Sequence, residues 1–303
     1  MDGRGCSRIS QEAPNPLIIP ASLAANCGAN PVRSAWLASL PATARSLALR
    51  WKLTFGEPFA DATCAWVAPA RRADGSAAVL KLGMPHFEAQ DEIQGLRFWN
   101  GEPTVLLLES DEQAGAMLLE SCTPGSKLSA QPEDEQDVVI AQLLRRLWSS
   151  PGWLDVFRPL SLMIRHWIDE TLANSQFWSD PHLVRDGLQA FEELSQSESE
   201  RVLLATDLHA GNVLRSQREP WLVIDPKPFI GDPAFDSTQH LLNCRASLMS
   251  DAEGKITRFA DLLQVDRERV RRWLFARAAA EPRSVWRDDD LSQLAKKLSK
   301  SIC

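Results

Sequence analysis

The pattern of apolar residues changes near residue 120, and this change constrains the fold more than any other feature of the chain. Before it, short apolar runs at 66–68 and 77–82 flank an Asp-Gly pair at 74–75. Such a pair between two apolar runs predicts a β-hairpin, because glycine tolerates the positive φ of a tight turn. After residue 120, apolar residues recur mainly at helical spacing. The pattern therefore predicts an α+β chain with a small sheet-rich lobe and a larger helical lobe.

The remaining elements are predicted in the same way, strands from short apolar runs and helices from apolar residues at helical spacing. One helix is predicted over 34–51, kinked or restarted at Pro41, because proline disrupts a helix interior. Apolar runs predict strands at 105–108, 116–119, 202–204, 213–214 and 221–224. Helical spacing predicts further helices over 87–100, 136–148, 162–178, 183–194, 234–242, 255–263, 266–279 and 288–300.

Length and composition are those of an ordinary globular chain. The 303 residues suit two lobes, which we place at 1–120, with an N-terminal helical extension over about 17–52, and at 121–303. Lys and Arg number 33 against 40 Asp and Glu, and a net charge of −7 gives no field for nucleic acid or an anionic membrane. Six scattered cysteines and no bilayer-length apolar stretch predict a reduced, cytoplasmic protein that binds no membrane.

Polar residues between the predicted strands of the second part mark a candidate active site. Asp207 and Asn212 lie five positions apart on a Gly-containing segment, and Asp225 follows the apolar run 221–224. Oxygen ligands at strand ends suit Mg²⁺, and a carboxylate beside them can accept a proton from an attacking hydroxyl. Asp207 and Asn212 alone would more often form a polar turn. The addition of Asp225 and Lys81, in this order along the chain, favours a catalytic site.

Lys81 ends a predicted buried strand, and Glu92 lies eleven residues later in a predicted helix. A strand lysine held by a helix glutamate can bind nucleotide phosphates, as in protein kinases. Asp91 is an alternative partner by a shift of one residue, and a lysine at a strand end is also a common surface residue. The chain has no Walker sequence, because Gly-Ser-Lys at 125–127 lacks the upstream glycine.

Several motifs together resemble the aminoglycoside phosphotransferase superfamily, and within it the group of streptomycin 6-kinases and hydroxyurea-resistance kinases. The most specific are Asp-Leu-His-Ala-Gly-Asn-Val-Leu at 207–214 and Val-Ile-Asp-Pro-Lys-Pro at 223–228. Others lie at 19–23, 66–75, 79–83, 95–99 and 231–236, so the resemblance covers roughly residues 17–300. It implies a bilobal protein-kinase-like fold with a small antiparallel-sheet N-lobe and a larger helical C-lobe. One departure is Ala205-Thr206, where the superfamily commonly has His-Gly.

The resemblance implies a role for each candidate residue. The implied roles are catalytic base for Asp207; metal ligands for Asn212 and Asp225; phosphate binding for Lys81 paired with Glu92; the turn over the phosphates for Thr63; and the adenine-binding hinge for Glu120 and Cys122. His209, Asp232 and Asp236 are candidates for substrate contact. For His209 a loop-stabilising role is equally expected, and for Asp236 an ordering role is favoured.

The implied activity is ATP-dependent phosphorylation of an aminoglycoside, at the 6-hydroxyl of streptomycin, with Mg²⁺ and with resistance as the result. GTP is an alternative donor. Hydroxyurea or an endogenous metabolite is an alternative acceptor, and a nucleotide-binding pseudokinase is an alternative of another class. The resemblance implies a small-molecule substrate and no obligatory protein partner. Acidic residues of the helical lobe are expected to bind the two guanidinium groups of the streptidine ring.

Two further clusters are open to a second interpretation. His240 and Cys244, four positions apart on a predicted helix, could form half of a metal site, but without a second pair we expect core packing. The three aspartates at 288–290 are expected to start a helix, where the macrodipole favours negative charge. A role in holding a cationic substrate is the alternative for these aspartates.

Overall fold

The computed structural model describes residues 17–28, 30–149, 154–197, 201–283, 286 and 289–299. Contacts within the chain define two compact units. The first comprises the chain up to Met84 together with Gln113–Ala116, and the second comprises Pro85–Glu112 and the chain from Met117 onward. The placement of a lobe boundary at residue 120 stays a prediction.

The first unit opens with two helices and continues into a hairpin. Its elements are α1 (Ala21–Cys27), α2 (Pro31–Arg50), β1 (Thr54–Phe55), β2 (Ala65–Arg71) and β3 (Ala77–Gly83). The side chain of Asn30 caps α2 by accepting hydrogen bonds from the backbone N–H groups of Val32 and Arg33. Helix α2 is a single element that contains Pro41. A restart of the helix at that proline, one of the two predicted outcomes, is therefore wrong.

Strands β2 and β3 form the predicted antiparallel hairpin. Their register pairs Arg71 with Ala77 next to the turn and Val67 with Lys81 further along. Gly75 has a φ of +83° in the turn, which is the conformation that only glycine adopts without strain. Successive residues of a strand face opposite sides of the sheet. Side chains on one face of β2 and β3 are accordingly buried in the core.

The second unit begins with a helix and two strands. A 3₁₀ turn at Glu88–Asp91 leads into α3 (Glu92–Trp99), and β4 (Leu107–Asp111) and β5 (Ala116–Glu120) follow along the chain. Within the first unit, strands β1, β2 and β3 are neighbours in one sheet, in this order. Helix α3 ends where predicted, since Asn100 and Gly101 both have positive φ. Strand β4 begins two residues later than predicted.

The rest of the second unit is mainly helical. Its helices are α4 (Glu133–Trp148), α5 (Leu160–Ala173), α6 (Pro181–Gln196), α7 (Pro233–Asn243), α8 (Arg245–Ser250), α9 (Ala252–Leu263), α10 (Arg267–Ala280) and α11 (Asp290–Ser299). Its strands are β6 (Val202–Leu204), β7 (Val213–Arg215), β8 (Trp221–Val223) and β9 (Phe229–Gly231). Strand β6 pairs with β9, and β7 pairs with β8, both antiparallel. Among the described residues, no helix is both long and apolar enough to cross a membrane.

Helices α6 and α10 approach each other closely in the core of this unit. A Cβ atom at Gly187 would lie only 2.6 Å from the Cβ atom of Ala279. The small residues therefore allow close helix contact, and a larger side chain at 187 would force the helices apart. Beside them, the buried rings of Phe235 and Trp273 form an edge-to-face pair 5.2 Å apart.

His240 and Cys244 belong to a buried ionic cluster that also contains Asp137 of α4. One Asp137 oxygen lies 2.9 Å from His240 Nε2, and the other lies 3.3 Å from Lys255 Nζ. Burial acts to raise the pKa of Asp137, but His240 and Lys255 outweigh it and lower the pKa. Burial also raises the pKa of the Cys244 thiol to about 12. The ligand atoms of Asp137, His240 and Cys244 lie within 4.8 Å of one another, but Asp137 is bound to His240 by a hydrogen bond and to Lys255 by an ion pair. These contacts join α4, α7 and α9 and favour the predicted packing role.

Replacement of Asp137 by Ala should lower the free energy of unfolding by about 1–3 kcal/mol, because it leaves the fully buried His240 ring without its hydrogen-bond partner. Urea unfolding of the variant measures this loss. Gln142→Ala, on the exposed face of the same helix, is the matched control and should change stability little. An Asp137→Ala protein as stable as the control variant would contradict the structural role of the cluster.

At the start of α11, Asp289 accepts a hydrogen bond from the backbone N–H of Ser292 at 3.1 Å, and Asp290 is the first helical residue. These two aspartates therefore start a helix as predicted. Asp288 lies outside the described residues.

Candidate active site

The loop between β6 and β7 brings the three predicted oxygen-bearing residues together. Asp207 and Asn212 lie on this loop, and Asp225 comes shortly after β8. The β7–β8 hairpin holds the two segments side by side, and the backbone N–H of Ile224 donates to the carbonyl of Asn212 at 2.9 Å. The second unit therefore contains the predicted grouping.

Asn212 is held by a hydrogen bond within its own loop. Its Nδ2 donates to the backbone carbonyl of Asp207 at 3.0 Å. Because the amide nitrogen is used in this way, the amide oxygen is the atom that can bind a cation. Asp225 offers carboxylate oxygens, and Mg²⁺ prefers carboxylate and amide oxygens as ligands. The donor set of Asn212 and Asp225 thus fits the predicted magnesium site.

Lys227 lies between two carboxylates of the site and is not among the residues predicted from the sequence. Its Nζ forms an ion pair with Asp207 Oδ2 and lies 3.7 Å from Asp225 Oδ2. Burial acts to lower the pKa of Lys227, but Asp225 and Asp207 outweigh it and raise the pKa, so the ammonium group stays charged. A cation held here can stabilise negative charge on a phosphoryl group. The only feature of the sequence that could have indicated Lys227 is its position two residues after Asp225, in Asp-Pro-Lys at 225–227.

The other carboxylate oxygen of Asp207 is bound by a residue of α7. Gln239 Nε2 lies 2.6 Å from Asp207 Oδ1. Both oxygens of the predicted catalytic base thus accept a hydrogen bond from a side chain, which fixes the rotation of the carboxylate. Gln239 is not among the residues predicted from the sequence, because it lies 32 positions from Asp207 and belongs to no recognised motif.

Thr206, directly before the predicted base, has a strained backbone conformation. Its φ is +46°, a left-handed value that glycine tolerates and a β-branched residue rarely adopts. Its hydroxyl donates to the backbone carbonyl of Lys227 at 2.6 Å, and its backbone N–H donates to Asp236 Oδ1 at 2.7 Å. These two hydrogen bonds hold the turn in this conformation although the residue is threonine.

Asp236 is a buried anchor of the loop. In addition to Thr206, its carboxylate accepts hydrogen bonds from the backbone N–H of Ala205 and from Trp148 Nε1, both at 2.9 Å. Burial raises the pKa of Asp236 to about 6, although these donors act to lower it. The carboxylate is therefore ionised at neutral pH, and its oxygens bind the protein's own N–H groups. These contacts favour the ordering role over substrate contact.

Both carboxylate oxygens of Asp232 also accept hydrogen bonds from other residues of the protein. Its Oδ1 caps α7 by accepting from the backbone N–H of Ala234 at 3.0 Å, and its Oδ2 accepts from Arg269 Nε and Trp273 Nε1, each at 2.7 Å. The side chain is 6% exposed. This environment favours a role in ordering the segment over contact with an acceptor.

His209 stabilises the turn that contains Asn212. Its Nδ1 accepts a hydrogen bond from the backbone N–H of Gly211 at 3.1 Å. Burial lowers the pKa of His209, with Asp207 acting in the opposite direction, so the neutral imidazole is favoured. A Cβ atom at Gly211 would lie 2.7 Å from the His209 ring, which explains the glycine at that position. Of the two predicted roles, the loop-stabilising one is supported by these contacts.

The predicted hinge follows the end of β5. The Glu120 carboxylate accepts hydrogen bonds from the backbone N–H of Leu106 at 3.0 Å and from Arg218 Nη2 at 2.8 Å. Arg218 also donates to the carbonyls of Gly101 and Thr104. The Glu120 side chain therefore stabilises the backbone around the predicted hinge through these hydrogen bonds. Contact of the hinge backbone with adenine stays a prediction, also for the neighbouring Cys122, whose thiol has a pKa raised by burial to about 11.

The remaining predicted residues are described within their own units. In the first unit, Lys81 is buried on β3, and Thr63 lies in the connection between β1 and β2, where its carbonyl accepts a hydrogen bond from Asn26. In the second unit, Glu92 is buried at the start of α3. Asp91, the alternative partner for Lys81, instead forms an ion pair with Arg158 at 2.6 Å.

Solved structures share this fold. Choline kinase LicA from Streptococcus pneumoniae superposes with a TM-score of 0.59 over 86% of this chain and 97% of its own, at 14% identity. Aminoglycoside phosphotransferase APH(4)-Ia gives a TM-score of 0.53 over 86% of this chain and 92% of its own, at 16% identity. Such identities show the fold alone. The predicted α+β, protein-kinase-like fold class is confirmed, and the fold places the chain in the kinase-like class.

The amino-acid sequence matches a known protein family over most of its length. Residues 50–290 match the family described as aminoglycoside/hydroxyurea antibiotic resistance kinase. Streptomycin 6-kinase of Streptomyces griseus is 37% identical over 80% of this chain and 82% of its own length. Hydroxyurea phosphotransferase of Kitasatospora aureofaciens is 34% identical over 83% of this chain and 74% of its own length. The chain belongs to this family of resistance kinases, and it is a phosphotransferase, as its motifs predicted.

Proposed function

We propose that this protein transfers the γ-phosphoryl group of ATP to the 6-hydroxyl of the streptidine ring of streptomycin and thereby gives resistance. The observation that carries the phosphotransferase chemistry is the grouping of Asp207, Asn212 and Asp225 around one loop. The choice of acceptor is supported by the relative named streptomycin 6-kinase.

In this proposal the residues of the second unit carry the chemistry. Asp207 orients the acceptor hydroxyl and accepts its proton. Asn212 and Asp225 hold Mg²⁺, which when bound neutralises charge on the phosphates. Lys227, which already bridges Asp207 and Asp225, adds positive charge where the phosphoryl group is transferred. Most of the rate enhancement then comes from positioning and electrostatics.

The nucleotide-binding residues are part of the same proposal. Lys81, paired with Glu92, binds the α- and β-phosphates, and Thr63 lies in the turn above them. The backbone at Glu120 and Cys122 binds adenine. GTP is the alternative donor. Because ATP is available in the cytoplasm, we propose that the protein is cytoplasmic. Its only required partner in this proposal is the small-molecule substrate.

Hydroxyurea is a second candidate acceptor. A relative of similar identity is named hydroxyurea phosphotransferase, and it is matched over as large a share of this chain. Hydroxyurea offers a hydroxyl on nitrogen but none of the guanidinium groups of streptidine. An endogenous metabolite hydroxyl is the remaining alternative of this kind. The grouping of Asp207, Asn212 and Asp225 speaks against a pseudokinase.

Incorporation of labelled phosphate from γ-labelled ATP tests the proposal. Streptomycin, hydroxyurea, an aminoglycoside without a streptidine ring and water are compared as acceptors, with Mg²⁺ present or chelated. We expect labelled streptomycin and loss of the label with chelator. Labelling of hydroxyurea alone would move the assignment to the second candidate. No labelling of any acceptor, with no ATP hydrolysis, would support the pseudokinase.

A further inference from the structure

We propose that Gln239 is a positioning residue for the Asp207 carboxylate and that Arg277 acts on Asp207 through it. The inference rests on the proposed function of Asp207 as the base. Gln239 Nε2 lies 2.6 Å from Asp207 Oδ1, and Gln239 Oε1 lies 2.7 Å from Arg277 Nη2. One glutamine side chain therefore connects the predicted base to a buried guanidinium group.

The chemistry of Arg277 decides which way the Gln239 amide faces. A guanidinium group can only donate hydrogen bonds, so the Gln239 atom beside it has to be the oxygen. The amide nitrogen then has to face Asp207 as a donor. Because the amide cannot flip without placing an N–H group against the guanidinium, Asp207 Oδ1 keeps a donor at all times. The other oxygen, Oδ2, is left on the side of Lys227.

Arg277 itself is held on every side. Its side chain is 4% exposed, and its Nη1 donates to Thr238 Oγ1 at 2.8 Å. Two hydrogen bonds of 2.8 and 3.0 Å join it to the carboxylate of Glu281. The guanidinium also lies 5.5 Å from the ring centre of Trp167 and 5.3 Å from that of Phe235. A group with so many partners is a rigid anchor, and it fixes Gln239 in turn.

This arrangement predicts an effect on turnover and not on substrate affinity. Loss of the Gln239 donor frees the Asp207 carboxylate to rotate, and misplacement of a reacting group costs rate. Gln239 is half-buried on α7, and its side chain forms hydrogen bonds with Asp207 and Arg277, neither of which is a proposed nucleotide or metal ligand. The Michaelis constants for ATP and acceptor should therefore stay near the wild-type values.

The variant Gln239→Glu separates positioning from structural support. Its carboxylate keeps an acceptor for Arg277 but faces the Asp207 carboxylate, so the two groups repel each other or share one proton, which raises the pKa of the proposed base. We expect a kcat lowered by about 10–100-fold at neutral pH, a pH profile of kcat displaced to higher pH, and a KM for ATP within about twofold. Gln239→Leu should lower kcat similarly and also destabilise the protein. Gln189→Glu, on the exposed face of α6, is the matched control and should leave kcat unchanged.

A double-mutant cycle tests the action of Arg277 through Gln239. Arg277→Met and Gln239→Leu should each lower kcat, and the double variant should lose little more than the more damaged single variant. Hydrolysis of ATP with water as acceptor is measured for all variants, so that the result does not depend on the choice of acceptor. Unchanged kcat in both Gln239 variants, a raised acceptor KM with unchanged kcat, or fully additive losses would each overturn the inference. Turnover that survives Asp207→Asn would instead overturn the proposed function.

Discussion

Replacement of Asp207 by Asn is expected to lower kcat for phosphoryl transfer by about 10²–10⁴-fold, the usual contribution of a general base. The amide has nearly the same shape as the carboxylate, but it keeps an acceptor oxygen for only one of the two donors that bind Asp207, Gln239 Nε2 and Lys227 Nζ. It cannot accept the proton of the acceptor hydroxyl. The KM for ATP should stay within about twofold, because the proposed nucleotide ligands are other residues. Steady-state kinetics with streptomycin and nucleotide titration measure the two effects.

Asp261→Asn is the matched control for this variant, since Asp261 is exposed on α9. It should retain the wild-type rate. If Asp207→Asn also retained a rate close to that of the control, another group would have to take the proton, and the assignment of the base would be wrong. A loss of nucleotide binding together with turnover would indicate that Asp207 supports the loop and not the proton transfer.

Replacement of Asp236 by Ala is expected to lower the free energy of unfolding by about 3–5 kcal/mol and to remove most of the activity. The substitution leaves three donors without their acceptor, namely the buried backbone N–H groups of Ala205 and Thr206 and the part-buried indole of Trp148. It also releases the strained turn at Thr206, whose φ is +46°. Urea unfolding and kcat should report the two losses together.

Trp148→Phe provides the graded control, because it removes only the indole donor and leaves both backbone contacts of Asp236 in place. It should cost about 1 kcal/mol and keep most of the activity. Equal losses in the Trp148 and Asp236 variants would show that core packing of the indole, and not the anchoring of the loop, accounts for the effect.

The regular elements were largely predictable because their signals are local. The hairpin of β2 and β3 follows from two apolar runs around an Asp-Gly pair, and its strands and turn are confirmed. Strand β6 and helix α4 likewise lie close to their predicted places. The strands and α-helices of the described residues that were not predicted are β1, α8 and β9, of two to six residues. Such short segments contain too few residues for a spacing to be recognised.

The site was predictable only in part. The order of Asp207, Asn212 and Asp225 along the chain indicated the site, and the structure groups these residues. Lys227 and Gln239 were missed, although both contact Asp207. Their contacts with Asp207 depend on how the segment after β8 and helix α7 pack against the loop. The spacing of residues along the chain does not indicate this packing.

The order of residues along the chain indicates which chemical groups are available: a strand lysine, an acid, an amide and a second acid, together with the family they define. Which side chains hold those groups in place depends on how the chain packs in three dimensions. Asp236, Gln239 and Arg277 act on the loop from helices that lie 30 to 70 positions further along the chain. Hydrogen bonds act over about 3 Å in space and not along the chain, so these partners exist only once the helices have packed.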